Sequence, residues 1–148
     1  IKDIAERYEL DRSKLIMEIT EDSIEKNLDV ARNNIIKAKE LGFYIALDDI
    51  GSGYTSLISL GEYPIDIVKI DREVLLLSEK ESGKKLFWGI ISLIHNLNLK
   101  VVCEGVETEE QNTLVSRSEC DYIQGWYYSK ALPVASAEIF YKEYMEKF

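Results

Sequence analysis

Short apolar runs rich in β-branched residues alternate with helical patterns along the chain. Ile16-Met17-Glu18-Ile19-Thr20-Glu21 opens the series, followed by Tyr44-Ile45-Ala46-Leu47-Asp48-Asp49 and Ile67-Val68-Lys69-Ile70-Asp71. Val101-Val102-Cys103-Glu104-Gly105-Val106-Glu107 and Asp121-Tyr122-Ile123-Gln124-Gly125 complete it. The pattern predicts strands over Leu15 to Thr20, Phe43 to Leu47, Ile65 to Ile70, Val101 to Cys103 and Tyr122 to Ile123. Ile1 to Glu9 reads as the end of a helix with Ile1, Ile4, Ala5 and Tyr8 on one face. A long helix is predicted from Ile24 to Leu41, capped by Asp22 or Ser23 and closed by Gly42. Ile24, Leu28, Ala31, Ile35 and Ala38 give it an apolar stripe. A short helix, Tyr54 to Leu60, follows the Gly51-Ser52-Gly53 loop. Helical pattern resumes near Arg72, breaks near Ser82-Gly83, and continues over Lys84 to Leu97 and Thr108 to Arg117. Ser136 to Phe148 reads as a last helix with Ile139, Phe140, Tyr144 and Phe148 toward the core.

Short apolar runs rich in β-branched residues, each followed by a helical pattern, indicate an α/β fold of about five parallel βα units. No low-complexity linker divides the 148 residues, so a single domain is expected over 1–148. An open doubly wound sheet and a segment of a (β/α)8 barrel both satisfy this pattern. Both place ligands at the C-terminal ends of the strands.

That shared rule gives the acidic residues their interest. Parallel strands align their C-terminal ends, so Glu18, Asp48, Asp49, Asp71 and Glu104 would converge there with Lys69 and Gln124. Like charges at close quarters cost free energy unless cations or a function offset them. Helix capping is the alternative for any single residue, and most of all for Asp71, which precedes Arg72. The adjacent pair Asp48 and Asp49, with Glu18 and Glu104, is suited to hard divalent cations: magnesium, manganese or calcium rather than zinc. Paired ions about 3.5–4 Å apart are a recurrent device for phosphodiester hydrolysis. Lys69 would orient water or a phosphate oxygen, or would form an ion pair with Asp48 or Asp49.

Charge and composition narrow the partners. The formal net charge of -9 argues against a DNA or RNA polymer. A small phosphate-bearing ligand remains compatible, since bound cations reverse the local field. The single histidine, His95, falls within a helical stretch and away from the strand ends, which leaves little room for histidine chemistry. Cys103 and Cys120 have no partners at metal-ligand spacing and point to reduced thiols in a cytoplasmic setting. No apolar run is long enough to span a bilayer, and no signal peptide is visible. The start at Ile1 rather than Met points to a natural N-terminus further upstream.

The chain resembles the EAL family of bacterial cyclic-di-GMP phosphodiesterases. The resemblance is carried by Glu18-Ile19-Thr20-Glu21, Ala46-Leu47-Asp48-Asp49-Ile50-Gly51-Ser52-Gly53-Tyr54-Thr55-Ser56-Leu57, Val68-Lys69-Ile70-Asp71, Val101 to Thr108 and Gln124 to Pro133, in family order. It implies a TIM-like barrel and hydrolysis of cyclic di-GMP to linear pGpG with Mg2+ or Mn2+, calcium being inhibitory. Glu18, Asp48 and Asp49 match metal ligands, with Asp48 shared between ions. Lys69 matches the lysine that holds catalytic water, and Glu104 a glutamate acting through metal-bound water. Glu107 and Gln124 match substrate-side and supporting polar positions. Glu21 matches the anchor of the loop after the aspartate pair, and Asp71 belongs to the motif.

Departures accompany the matches. The Glu-Ala-Leu motif and an Asn-bearing strand would lie before Ile1. The chain is thus expected to hold about five of the barrel's eight strands, an incomplete EAL-like domain. Ile50 stands where the family usually has Phe, and Ala131 where it usually has Pro. A partial barrel would expose the Leu15 to Thr20 edge, which a second copy of the chain could cover. Two function classes follow: phosphodiesterase chemistry by the parent domain, or a non-catalytic cyclic-di-GMP-binding or protein-interaction module. A phospho-acceptor receiver domain fails on order, because Lys69 ends the strand directly after the aspartate pair.

Overall fold

The computed structural model describes residues 2–20, 23–24, 28–50 and 60–146. Helix α1 (Lys2–Arg7) and a 3-10 turn (Arg12–Lys14) lead into strand β1 (Ile16–Thr20). Helix α2 (Leu28–Glu40) and strand β2 (Tyr44–Ile50) follow. Strand β3 (Ile67–Ile70) is succeeded by α3 (Arg72–Leu77) and α4 (Glu81–Asn96). Strand β4 (Lys100–Cys103), α5 (Glu109–Ser116), β5 (Tyr122–Ile123) and α6 (Val134–Met145) complete the order.

The five strands form one parallel sheet in the order β1-β2-β3-β4-β5. A doubly wound sheet reverses its strand order at a switch point. Here each strand lies beside its sequence neighbour, and the two faces differ. Ile45, Leu47, Val68, Ile70, Val101 and Cys103 are fully buried on the helical side, against Ile35, Phe87, Ile91, Ile94 and Val115. The opposite side is concave and open, with Ile16, Tyr44 and Tyr122 exposed. One covered face and one concave face are the geometry of a barrel wall.

Two aspartates at strand starts pin the register. Asp66 accepts from the Ile45 N–H at 2.8 Å and from Lys39, joining β3 to β2. Asp121 accepts from the Val101 N–H at 2.9 Å, from Lys100 Nζ at 2.6 Å and from His95 Nε2 at 2.9 Å, joining β5 to β4. His95 is therefore committed at the N-terminal end of the sheet.

Two expectations are corrected. The helical break lies at Ser78 to Lys80, before Ser82-Gly83, and Gly83 is inside α4. A Cβ there would fall 1.8 Å from the Leu77 carbonyl oxygen, so this glycine permits backbone contact rather than ending a helix. Ile139, Phe140 and Tyr144 do not point into a core: α6 buries no residue among those described. Its period records an apolar stripe, and the described chain offers no surface to cover it. In α1 only Ala5 is buried, while Ile4 and Tyr8 are exposed. Glu21, the Gly51-Ser52-Gly53-Tyr54 loop, most of the short helix after it and Phe148 lie outside the described residues.

Candidate active site

Strand alternation alone explains most of the convergence. In β1, Ile16, Glu18 and Thr20 share the concave face. The register carries that face through Ala46 and Asp48, through Ile67 and Lys69, and through Val102. Of these, Ile16, Glu18, Ala46, Ile67, Lys69 and Val102 line a hollow of about 470 Å³ that also reaches Gln124. Apolar side chains fill its lower layer, and the charged residues sit towards the strand ends.

Asp49 breaks the alternation. Between Leu47↔Val68 and Ile50↔Ile70, three steps along β2 face two along β3, which is a β-bulge. Asp49 takes φ +62°, the left-handed region that Asp enters more readily than most residues. Its N–H donates to Asp48 Oδ1 at 3.1 Å. Without the bulge, adjacent carboxylates would point to opposite faces. With it, single oxygens of Asp48, Asp49 and Glu104 all lie within 4.8 Å of one another.

Lys69 stands in the middle of this group. Its Nζ is 2.9 Å from Asp48 Oδ1, 2.9 Å from Glu104 Oε1 and 3.0 Å from Glu18 Oε2, and the side chain is only 7% exposed. Burial alone would lower its pKa. The hydrogen bonds to Asp48, Glu104 and Glu18 outweigh burial and hold the ammonium well above the ordinary lysine value. Burial pushes the Glu104 carboxyl up; Lys69 opposes that shift, and the nearby Asp48 and Glu18 reinforce it. The two shifts differ in sense: one ammonium gains three partners and its charge is favoured, whereas at Glu104 burial outweighs the shared Lys69 and the carboxylate's charge is disfavoured.

The donor set fits a divalent cation. Lys69 meets three carboxylates and Asp49 stands beside them, so the local balance among the described residues remains negative. Asp48, Asp49 and Glu104 are half-buried hard oxygen donors close enough to share an ion.

A second hollow, of about 670 Å³, adjoins Glu104 beyond the strand ends. Asp71, Arg72, Glu107, Gln124, Trp126 and Lys130 line it. Asp71 caps α3, its carboxylate accepting from the Glu73 N–H at 2.6 Å. Glu107 accepts from Arg72 Nη2 at 2.7 Å. Gln124 continues β5, its N–H donating to the Cys103 carbonyl at 2.9 Å. A larger hollow of about 780 Å³ lies on the helical side around Trp88 and Arg117, and none of the strand-end residues reaches it.

The EAL domain family model matches residues 1–131. The chain belongs to the EAL-domain family. It is 35% identical over 131 residues to the cyclic di-GMP phosphodiesterase NbdA of Pseudomonas aeruginosa, covering 88% of this chain and 17% of NbdA. Among solved structures, the PaMucR phosphodiesterase in complex with c-di-GMP superimposes with a TM-score of 0.84 at 32% identity, over 92% of this chain and 56% of that one. The EAL domain of Mycobacterium smegmatis DcpA gives 0.87 at 29%, over 95% and 64%. The chain thus spans less than a fifth of the curated relative and under two thirds of these solved chains. The five strands are a stretch of the TIM-like EAL barrel, which decides between the two architectures open from sequence.

Within this EAL segment, Glu18, Asp48, Asp49, Lys69 and Glu104 form one cluster, while Asp71, Glu107 and Gln124 stand in the adjoining hollow. Glu21 is outside the described residues. Arg72, Trp126 and Lys130 were not singled out from sequence. The ammonium of Lys130 lies 4.9 Å from the Trp126 ring centroid. An aromatic-rich stretch directly after a strand end, Trp126-Tyr127-Tyr128, was the available signal. Ile50 is buried, and its carbonyl accepts from the Asp71 N–H at 3.3 Å, so this departure is absorbed by packing.

Proposed function

We propose that this chain supplies the metal-binding and catalytic residues of a domain that hydrolyses one phosphodiester of cyclic di-GMP, releasing linear pGpG. The observation that carries the reading is the oxygen cluster of Asp48, Asp49 and Glu104 with Lys69 buried among its carboxylates, on an EAL frame. The c-di-GMP in the complex of PaMucR, and the activity named for NbdA, supply the substrate class.

Asp48, Asp49 and Glu18 would hold magnesium or manganese, with Glu104 at the same focus. A divalent cation there supplies charge stabilisation to a phosphoryl group undergoing displacement. Lys69 stays protonated with its three hydrogens facing Asp48, Glu104 and Glu18, so it would turn to a phosphate oxygen or water by exchanging one of these carboxylate partners. Glu104, its proton affinity raised by burial, is suited to accept a proton from attacking water. Glu107 and Gln124 border the space a nucleotide would enter, with Asp71 fixing the start of α3 beside it. Glu21 is assigned to anchoring the loop after Asp49.

The concave face also supports a competing reading. It takes the hollow lined by Glu107, Gln124 and Trp126 as a surface that binds cyclic di-GMP without turnover, apart from the β1 edge where Ile16 is exposed. In this chain alone, pairing of two copies along β1 would cover that edge; the sedimentation mass of the 148-residue chain tests this. Both cysteines are free thiols, in keeping with a cytoplasmic setting. No helix among the described residues is long and apolar enough to cross a membrane.

Metal removal tests the proposal. Chelator-treated full-length protein is expected to lose cyclic di-GMP turnover, and to regain it with magnesium or manganese but scarcely with calcium. Undiminished turnover after exhaustive chelation would contradict the metal assignment. Binding without pGpG under every metal would favour the competing reading.

A further inference from the structure

Arg72 opens α3, directly after the Lys69-Ile70-Asp71 strand end. Its aliphatic stem lies against the backbone of Gly105. A Cβ at position 105 would fall 2.6 Å from both Cβ and Cγ of Arg72. Gly105 also has φ +67°, so a side chain there would be strained on both counts. The guanidinium reaches past it and donates to Glu107 Oε2 at 2.7 Å. Arg72 therefore grips the segment from Glu104 to Glu107 at two points.

Backbone hydrogen bonds brace the remaining flanks of that segment. The Glu104 N–H donates to the Ile70 carbonyl at 3.1 Å, and the Val106 N–H to the Gln124 carbonyl at 3.2 Å. The Glu107 N–H donates to Gln111 Oε1 at 2.8 Å. None of these three fixes the Glu107 carboxylate, which Arg72 holds. An ion pair this exposed, with side chains 49% and 32% accessible, adds little to global stability. Its place is more telling than its strength, since it joins the end of the Lys69 strand to the loop that begins with Glu104.

We infer that Arg72 is a positioning residue: through Gly105 and Glu107 it holds the Glu104 loop against the end of β3, keeping the Glu104 carboxylate on Lys69. The inference rests on the phosphodiesterase reading above for its catalytic consequence. Small displacements of a reacting group cost turnover more than affinity.

The test compares Arg72→Ala, Arg72→Lys, Glu107→Gln and the Arg72→Ala/Glu107→Gln double variant in the full-length protein. Amide hydrogen exchange is the first readout. Arg72→Ala should speed exchange at Glu104, Val106 and Glu107 by about tenfold, with β2 and α4 unchanged. Arg72→Lys, which keeps the stem and a charge, should restore most of that protection. In turnover, Arg72→Ala should lower kcat about tenfold with KM within about twofold. The double variant should be no slower than the worse single one, because Arg72 acts through Glu107. Unchanged exchange in Arg72→Ala, or multiplied losses in the double variant, would overturn the inference. Exchange needs no substrate, so an inactive wild-type protein would refute the phosphodiesterase reading while this readout still decides whether Arg72 holds the loop.

Discussion

Lys69 is where the packing of the sheet and the proposed chemistry meet. Its ammonium is buried where Asp48, Glu104 and Glu18 meet, and these carboxylates keep it charged. Removing one partner of a buried ionic group leaves uncompensated charge, at a cost of about 3–5 kcal/mol. Lys69→Met should therefore lower the melting temperature markedly. Manganese should then raise the variant's melting temperature more than the wild type's, since a cation replaces the missing charge. Equal shifts in paired thermal melts would show that the carboxylates do not depend on a central cation. Lys69 and its partners were legible in the sequence because each ends or closely follows an apolar run. The approach of Asp49 to Asp48 and Glu104 was not. Strict alternation sends adjacent residues to opposite faces, and the bulge that overrides it depends on pairing with β3.

At the scale of elements, glycines and aspartates fix how strands and helices meet. Gly83 and Gly89 both lie in α4, yet they answer to different physics. A Cβ at Gly83 would strike the Leu77 carbonyl, whereas one at Gly89 meets nothing within 4 Å. Gly83→Ala should destabilise by roughly 2–4 kcal/mol through forced movement of the α3–α4 junction. Gly89→Ala should stabilise by about 0.5–1 kcal/mol through helix propensity. Denaturant unfolding of the two variants measures this, and shifts of the same sign would contradict it. A sequence pattern cannot separate such glycines, because the difference lies in the neighbouring backbone. Asp121 gives a pH signature. Burial opposes its ionisation, but hydrogen bonds from Lys100, His95 and the Val101 N–H prevail and bring its pKa from 3.8 down to about 2. A depressed folded-state pKa contributes stability above the unfolded value and loses it as pH falls through the folded one. Stability should thus decline between 3.8 and about 2, and Asp121→Asn should flatten that part of the profile. An unchanged slope in the variant would remove Asp121 from this role.

At the scale of the whole molecule, the sequence order of the strands and their single helical face make a barrel wall, with the charged layer at its C-terminal rim. The α/β class and the five strands were legible from apolar runs whose boundaries moved by only a few residues. The choice of barrel over open sheet was not legible from periodicity alone, because both architectures share the βα repeat; the family resemblance and then the strand order supplied it. The central claim is that this rim carries out phosphodiester hydrolysis rather than binding alone. Asp48 separates the two, as it contacts Lys69 and shares the oxygen cluster with Asp49 and Glu104. The most direct measurement compares kcat and cyclic di-GMP affinity for the full-length protein and its Asp48→Asn variant in manganese. The account predicts pGpG formation by the wild type, at least about a hundredfold loss of kcat in the variant, and a much smaller change in affinity. Near-normal turnover by Asp48→Asn, or tight binding by a wild-type protein that forms no pGpG, would contradict it.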